Sequence, residues 1–166
     1  MDVLVVRHAI ALDREEAEER GVLDRDRPIT SKGRSRMRQV ARALARRSPE
    51  LSAIISSPLR RAVETAELLS ERYERLHPTA SDALLPEARP SELAQLLADA
   101  GFTAAVAVVG HEPHLSTWVG WCLSGEARSL VELRKGGACL LRFDGTPGPA
   151  QARLLWLVTP AILRRP

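Results

Sequence analysis

Asp2-Val3-Leu4-Val5-Val6, running straight into Arg7-His8-Ala9, is the stretch on which the reading of this chain turns. An unbroken valine-rich run of this kind reads as a strand buried on both faces. Strands of that sort belong to parallel sheets covered by helices. A guanidinium and an imidazole then follow with no spacer. Further along the chain the same order returns. Leu51 to Ile55 predicts a second strand, and Ser56-Ser57-Pro58 with Arg60-Arg61 comes directly after it. Ala104 to Val109 is the most strand-like run of all, and His111 follows it.

Helical patterns fill the intervals. Thr30 or Ser31 caps a helix that runs to about Arg47, with Met37, Val40, Ala41 and Leu44 as its apolar stripe. Ser48-Pro49 ends it. Pro58 suits the first turn of a helix reaching about Leu76, with Ala62, Thr65, Ala66 and Leu69 on one face. Pro78 breaks the chain, and Thr79 to Ala83 reads as a short strand. Pro90-Ser91-Glu92 opens a helix that stops at Gly101, and His111-Glu112-Pro113 leads into another that extends through about Leu123. Residues Ala9 to Arg27 are densely charged and read as a loop with a short helix at Asp13 to Arg20. Toward the C-terminus, Ala138 to Phe143 and Ala152 to Val158 predict two strands joined by a hairpin-type loop. The expected fold is α/β: a three-layer α/β/α sandwich with a mostly parallel central sheet and an antiparallel C-terminal edge. Residues 1–166 read as one domain.

Composition narrows the partners. Of 166 residues, 45% are hydrophobic and 27% charged, enough for one real core. The net charge is only +3, with 24 basic residues interleaved among 21 acidic ones and aromatics at 4%, which argues against a nucleic-acid partner. Cys122 and Cys139 form neither a C-x-x-C nor a metal-type spacing and read as buried free thiols in a reducing cytosol. No apolar run approaches the ~20 residues of a membrane span, and the N-terminus enters a strand instead of a signal peptide. The expectation is a soluble, cytoplasmic protein without membrane or nucleic-acid partners, a monomer or weak dimer. Trp118 and Trp121 read as core in preference to interface.

In open α/β sheets, ligands bind outside the carboxyl ends of the strands. If the three strands are neighbours, one sheet edge collects Arg7, His8, Arg60-Arg61 and His111, together with helix N-termini. That combination attracts a compact dianion such as a phosphoryl group. A neutral imidazole, with a free pKa of about 6.5, can attack phosphorus. Arginines can hold the equatorial oxygens bidentately, and a second histidine, if protonated, adds a donor and charge. No metal or other cofactor is required. The weight rests on co-occurrence, since a lone histidine after a strand is commonly structural. Arg60 alone reads as a solvated helix residue, His77 lies in a polar break, and His114 points off a helix start.

Arg7-His8, then Ser57-Pro58-Leu59-Arg60-Arg61-Ala62-Val63-Glu64-Thr65-Ala66, then Val109-Gly110-His111 resembles the histidine phosphatase superfamily, over residues 2 to about 115 in the same order. The usual Arg-His-Gly is here Arg7-His8-Ala9, a variation of the smaller members. Arg27-Pro28-Ile29-Thr30 with Gly33 is similar to the short SixA-type branch, the phosphohistidine phosphatases.

The resemblance implies a phosphoglycerate mutase-like fold. It makes His8 the nucleophile that becomes phosphorylated and Arg7, Arg61 and His111 the rest of the phosphate pocket, with Arg61, not Arg60, as the second phosphate-binding arginine. Ser57 is either at the pocket edge or a helix cap. Glu87, in Leu85-Pro86-Glu87, stands where larger members carry a general acid; the other reading is a solvated loop carboxylate. Asp13, Arg14 and Arg25 line an open groove or are solvated, the latter favoured. Arg27 faces the site or pairs with Asp24 or Asp26. The implied activity is metal-independent hydrolysis of protein phosphohistidine. The alternatives are the same chemistry on a small phosphoester (a sugar phosphate or nucleotide) or a non-catalytic phosphate-binding module. Inorganic phosphate or sulfate would fit the same pocket.

Overall fold

β1 (Asp2–Arg7) lies inside the sheet, and Val3, Leu4, Val5 and Val6 are all fully buried. The computed structural model describes residues 1–73, 76–102 and 104–165. The remaining strands are β2 (Leu51–Ser56), β3 (Thr79–Ala80), β4 (Ala105–Gly110), β5 (Ala138–Phe143) and β6 (Ala152–Val158), in the spatial order β3-β2-β4-β1-β5-β6. The first four in that order pair in parallel; β5 runs antiparallel to β1 and β6 antiparallel to β5. This is the mostly parallel sheet with an antiparallel C-terminal edge that the sequence predicts.

Alternate residues of each strand feed opposite layers. Leu4 and Val6 join Ile54 and Val109 beneath α2 (Ser31–Ala45), α3 (Arg60–Ser70) and α6 (Pro160–Leu163), which contribute Met37, Leu44, Ala66, Leu69 and Leu163. Val3 and Val5 join Val106 and Val108 beneath α4 (Pro90–Asp99) and α5 (His114–Ser124), which contribute Leu93, Leu97, Leu115 and Trp118. The predicted short helix is α1 (Arg14–Glu19), capped by the Asp13 carboxylate, which accepts the Glu15 amide at 2.9 Å. Thr30 caps α2 in the same way, its hydroxyl accepting the Gly33 amide at 3.0 Å.

The boundaries differ in places. α3 spans Arg60–Ser70, so Pro58 stands outside it and Leu59 is its cap. The helix stops short of Leu76 because the chain turns away after Ser70, where the Tyr73 hydroxyl bonds the Ser48 hydroxyl at 2.8 Å. The predicted strand from Thr79 to Ala83 shrinks to Thr79–Ala80: the Ser81 hydroxyl accepts the Ala83 amide at 3.3 Å and starts a 3-10 turn over Asp82–Leu84. α6 was not anticipated; Pro160 in its first turn was the available signal.

One close approach ties α2 to the loop after His8. The Ile10 carbonyl accepts the Thr30 amide at 2.9 Å, and a Cβ on Gly33 would stand 2.1 Å from that carbonyl oxygen. Backbone cannot yield as a side chain does. Gly33→Ala is therefore expected to destabilise the protein by about 1–3 kcal/mol, read as a lower midpoint in urea unfolding; an unchanged midpoint would contradict this packing.

Candidate active site

β2, β4 and β1 are adjacent and parallel, so their carboxyl ends share one edge. Arg7 ends β1 in register with Gly110 at the end of β4. The His8 amide donates to the Gly110 carbonyl at 3.0 Å, and the Ser57 amide to the Val109 carbonyl at 2.9 Å. His111 leaves β4 at the same level, and Arg61 arrives from the first turn of α3. On the remaining side the Gly136 amide donates to the carbonyls of Arg7 and His8, at 3.1 Å each. Gly136 has φ +76°, a conformation open to glycine.

The His8 and His111 rings lie 5.0 Å apart between centroids, tilted by 50°. His8 is 7% exposed and His111 2%. His8 Nδ1 stands 2.7 Å from the Ala9 carbonyl. A carbonyl only accepts, so Nδ1 carries the hydrogen and Nε2 keeps its lone pair. Burial pushes the His8 pKa down to about 3; the Ala9 bond opposes this, while Arg61, Arg7 and Lys135 add to it. Burial, the neighbouring His8 and Arg61 push His111 to about 2. Both rings are thus neutral near pH 7 in the free protein, so His111 offers one N–H there without a charge.

The guanidinium groups are partly engaged. Arg7 Nη1 donates to the Leu133 carbonyl at 2.8 Å. Arg61 Nη1 donates to the Asp24 carbonyl at 2.8 Å, and its Nη2 to the Asp24 carboxylate at 3.3 Å. The Nε atoms of Arg7 and Arg61 and both ring nitrogens of His111 are buried without a protein partner. Buried polar groups are rarely left that way. Glu112, His114 and Trp118 also carry such atoms, but those of Arg7, Arg61 and His111 belong to side chains that share one sheet edge with a neutral imidazole holding an available lone pair, an arrangement suited to an oxyanion.

Residues 3–99 match the sequence profile of the histidine phosphatase superfamily (branch 1). The chain belongs to the histidine phosphatase superfamily. The match includes Arg7, His8, Ser57, Arg61 and Glu87, and His111 lies beyond it. A related uncharacterized protein of Picosynechococcus sp. is 34% identical over 147 residues, covering 86% of this chain and 85% of that one. Among solved structures, the protein histidine phosphatase SixA complexed with tungstate superposes with a TM-score of 0.80 at 22% identity, over 98% of this chain and 99% of that one. The putative phosphohistidine phosphatase SixA from Agrobacterium tumefaciens gives 0.75 at 21%, over 96% and 97%. A mycobacterial glucosyl-3-phosphoglycerate phosphatase in complex with VO3 gives 0.72 at 17%, over 95% and 99%. At these identities the structures establish the shared fold. The enzyme class that goes with the family is phosphatase.

Other features of this histidine phosphatase were less legible in advance. Asp24, in the 3-10 turn Asp24–Asp26, holds Arg61 and also stands 3.0 Å from Arg27 and 3.6 Å from Arg14. Of the alternatives for Arg27, pairing with Asp24 is the one found; its Nη1 also donates to the Leu12 carbonyl at 2.6 Å. Thr65 had no assigned role. Its hydroxyl donates to the Arg61 carbonyl at 2.6 Å and accepts the Ala9 amide at 3.0 Å, fastening α3 to the backbone after His8. The Ala9 methyl packs into the core beneath α2 and α3.

The Ser57 hydroxyl accepts the Leu59 amide at 3.3 Å, at the start of α3. Glu87 is exposed on the turn after the 3-10 segment; among the described residues no hydrogen bond or ion pair joins it to Arg7, His8, Arg61 or His111. Its charge acts instead on His114, which is 3% exposed and so does not point off the helix as expected; burial lowers its pKa. Cys122 and Cys139 are buried and unpaired. Among the described residues no group of three or more His, Cys, Asp or Glu side chains is arranged to hold a metal ion, and no helix is long and apolar enough to cross a membrane.

Proposed function

We propose that residues 1–166 act as one histidine phosphatase domain that hydrolyses phosphohistidine on a protein, with His8 as the nucleophile. The observation that carries this reading is the set of orphaned nitrogens on Arg7, Arg61 and His111 around the neutral His8 ring. In this reading Nε2 of His8 attacks phosphorus while the bond from phosphorus to the leaving imidazole nitrogen breaks; the electron pair stays on that nitrogen, and the ring departs as neutral imidazole because its other nitrogen already carries a proton. Arg7 and Arg61 hold the equatorial oxygens as charge redistributes, and His111 donates one N–H. Water then attacks the phosphorus of phospho-His8, releasing inorganic phosphate and restoring the imidazole. Ser57 stands at the pocket edge in this reading, its hydroxyl accepting the amide of Leu59, the residue that caps the helix carrying Arg61.

The substrate assignment follows from the leaving group. An imidazole departs readily and needs little protonation, whereas an alkyl oxygen needs a positioned acid. Glu87, exposed on its turn, is a candidate acid for the second kind of substrate only. The SixA likeness in fold supports the same choice. The oxyanions bound in related structures, tungstate and VO3, support placing phosphate among these nitrogens here.

The deciding assay compares a phosphohistidine peptide with a sugar phosphate and a nucleotide. The peptide is expected to be turned over with kcat/KM at least about 100-fold higher, the scale of an absent general acid. Equal or reversed rates would replace this reading with a small-molecule phosphomonoesterase of the same mechanism.

A further inference from the structure

Among the described residues, the charged side chains along the seam between α2 and α6 are all of one sign. Arg36, Lys135 and Arg164 line a pocket there, and Arg42, Arg46, Arg164 and Arg165 line the one adjoining it. Among the described residues no Asp or Glu lines either pocket. Among the described residues none of these cations forms an ion pair with a carboxylate. The contrast lies along one helix and its cap: Arg34 and Arg38 of α2 pair with Glu64 and Glu71 on and just beyond α3, while among the described residues Arg36 and Arg42 of the helix and Arg46 at its C-terminal cap have no such partners. Spacings of three to four residues share a helix face, and Arg36, Gln39, Arg42 and Arg46 follow that spacing on the side toward α6. Like charges crowded on one surface repel one another, and an anionic partner relieves the repulsion.

The seam also reaches the chain that directly follows His8. Its upper pocket includes Ala9 and Ile10, the residues directly after His8, and has an apolar floor of Met37, Val40 and Pro160. From Arg36 to Arg46 the stripe runs about 15 Å along the helix, farther than a sugar phosphate extends. Neither pocket is lined by an aromatic side chain on which a nucleobase would stack.

We propose that this seam is the docking surface for an acidic face of the phosphorylated protein substrate, guiding its phosphohistidine to His8. The inference rests on the phosphohistidine reading above and adds the charge of the partner. The test uses phosphohistidine peptides of equal length flanked by Glu, Ser or Lys, with N-phosphoimidazole as the small control. At low salt the Glu-flanked peptide should exceed the Ser-flanked one roughly tenfold in kcat/KM. The preference should vanish near 1 M salt, where the screening length is about 3 Å. In the triple variant Arg36→Glu, Arg42→Glu, Arg46→Glu the preference should invert toward the Lys-flanked peptide, with N-phosphoimidazole hydrolysis unchanged. Misfolding cannot produce an inversion.

Equal rates for Glu- and Ser-flanked peptides, or a preference that survives in the triple variant, would overturn the proposal. Fluorescence anisotropy with an unphosphorylated Glu-rich peptide and an RNA oligonucleotide reads the seam independently of turnover. Tighter RNA binding would also overturn it. If no phosphohistidine compound is hydrolysed, the catalytic reading fails, and the anisotropy result still decides the seam.

Discussion

His8→Ala is expected to lower phosphatase turnover by at least about 10⁴-fold and to remove the phosphoenzyme altogether. The geometry leaves no substitute. His8 Nδ1 is committed to the Ala9 carbonyl at 2.7 Å, which fixes the tautomer and leaves Nε2 free. Among the described residues His111 has no such bond on either nitrogen, so no protein partner fixes its tautomer. Its centroid is also 5.0 Å away, so it cannot occupy the same point of attack. Acid-labile, base-stable phosphate should appear on the wild-type chain after rapid quenching and be absent from the variant. Labelling that persists on His8→Ala would sink the assignment of the nucleophile.

The parts of this arrangement that were legible in the sequence are the local ones. β1 announced itself because burial on both faces demands an unbroken aliphatic run, and Arg7-His8 is conspicuous for following it. His111 and Ser57 were found by the same rule, each standing directly after a strand. The C-terminal strands β5 and β6 were bounded correctly because glycine and proline clusters punctuate them. α6 escaped because its short span carries too little period to register against the preceding strand.

What escaped at the site depends on distance along the chain. Asp24 is 37 positions from Arg61 and was one acid among many in a charged loop. Nothing short of the folded chain shows that its carbonyl and carboxylate meet that guanidinium. The Leu133 carbonyl that holds Arg7 is 126 positions away and is backbone, which sequence cannot single out. Thr65 sat in plain view within the motif around Arg61, yet its bond to the Ala9 amide spans 56 positions. His114 misled for the opposite reason. A polar residue opening a helix usually faces water, but α5 starts inside the layer beside α4 and the turn bearing Glu87, and the ring is enclosed.

The same burial that keeps the His8 ring neutral makes the free protein sensitive to acid. Folded, His8 and His111 have pKa values pushed down to about 3 and about 2; unfolded, each returns to about 6.5. Below pH 6.5 the unfolded chain therefore binds protons that the folded chain refuses, and stability falls as pH falls. Stability from these groups is fully present above 6.5 and is progressively lost toward the folded values. By pH 5 each imidazole costs about 2 kcal/mol and the pair about 4 kcal/mol, against a typical total of about 5–15 kcal/mol. His114, its pKa lowered by burial, acts in the same sense; Glu112, raised by burial, opposes it. Asp2 and Asp24 have lowered pKa values, so their contribution is lost only below the ordinary carboxylate range, outside this window. Urea unfolding at pH 7.5 and pH 5 should show a large drop in midpoint, and a flat midpoint would mean that the rings protonate in place. Saturating inorganic phosphate should recover part of the loss at pH 5, because an anion among these nitrogens favours the charged imidazoles and binds only the folded chain. An equal gain at pH 5 and pH 7.5 would instead place the anion away from the two histidines.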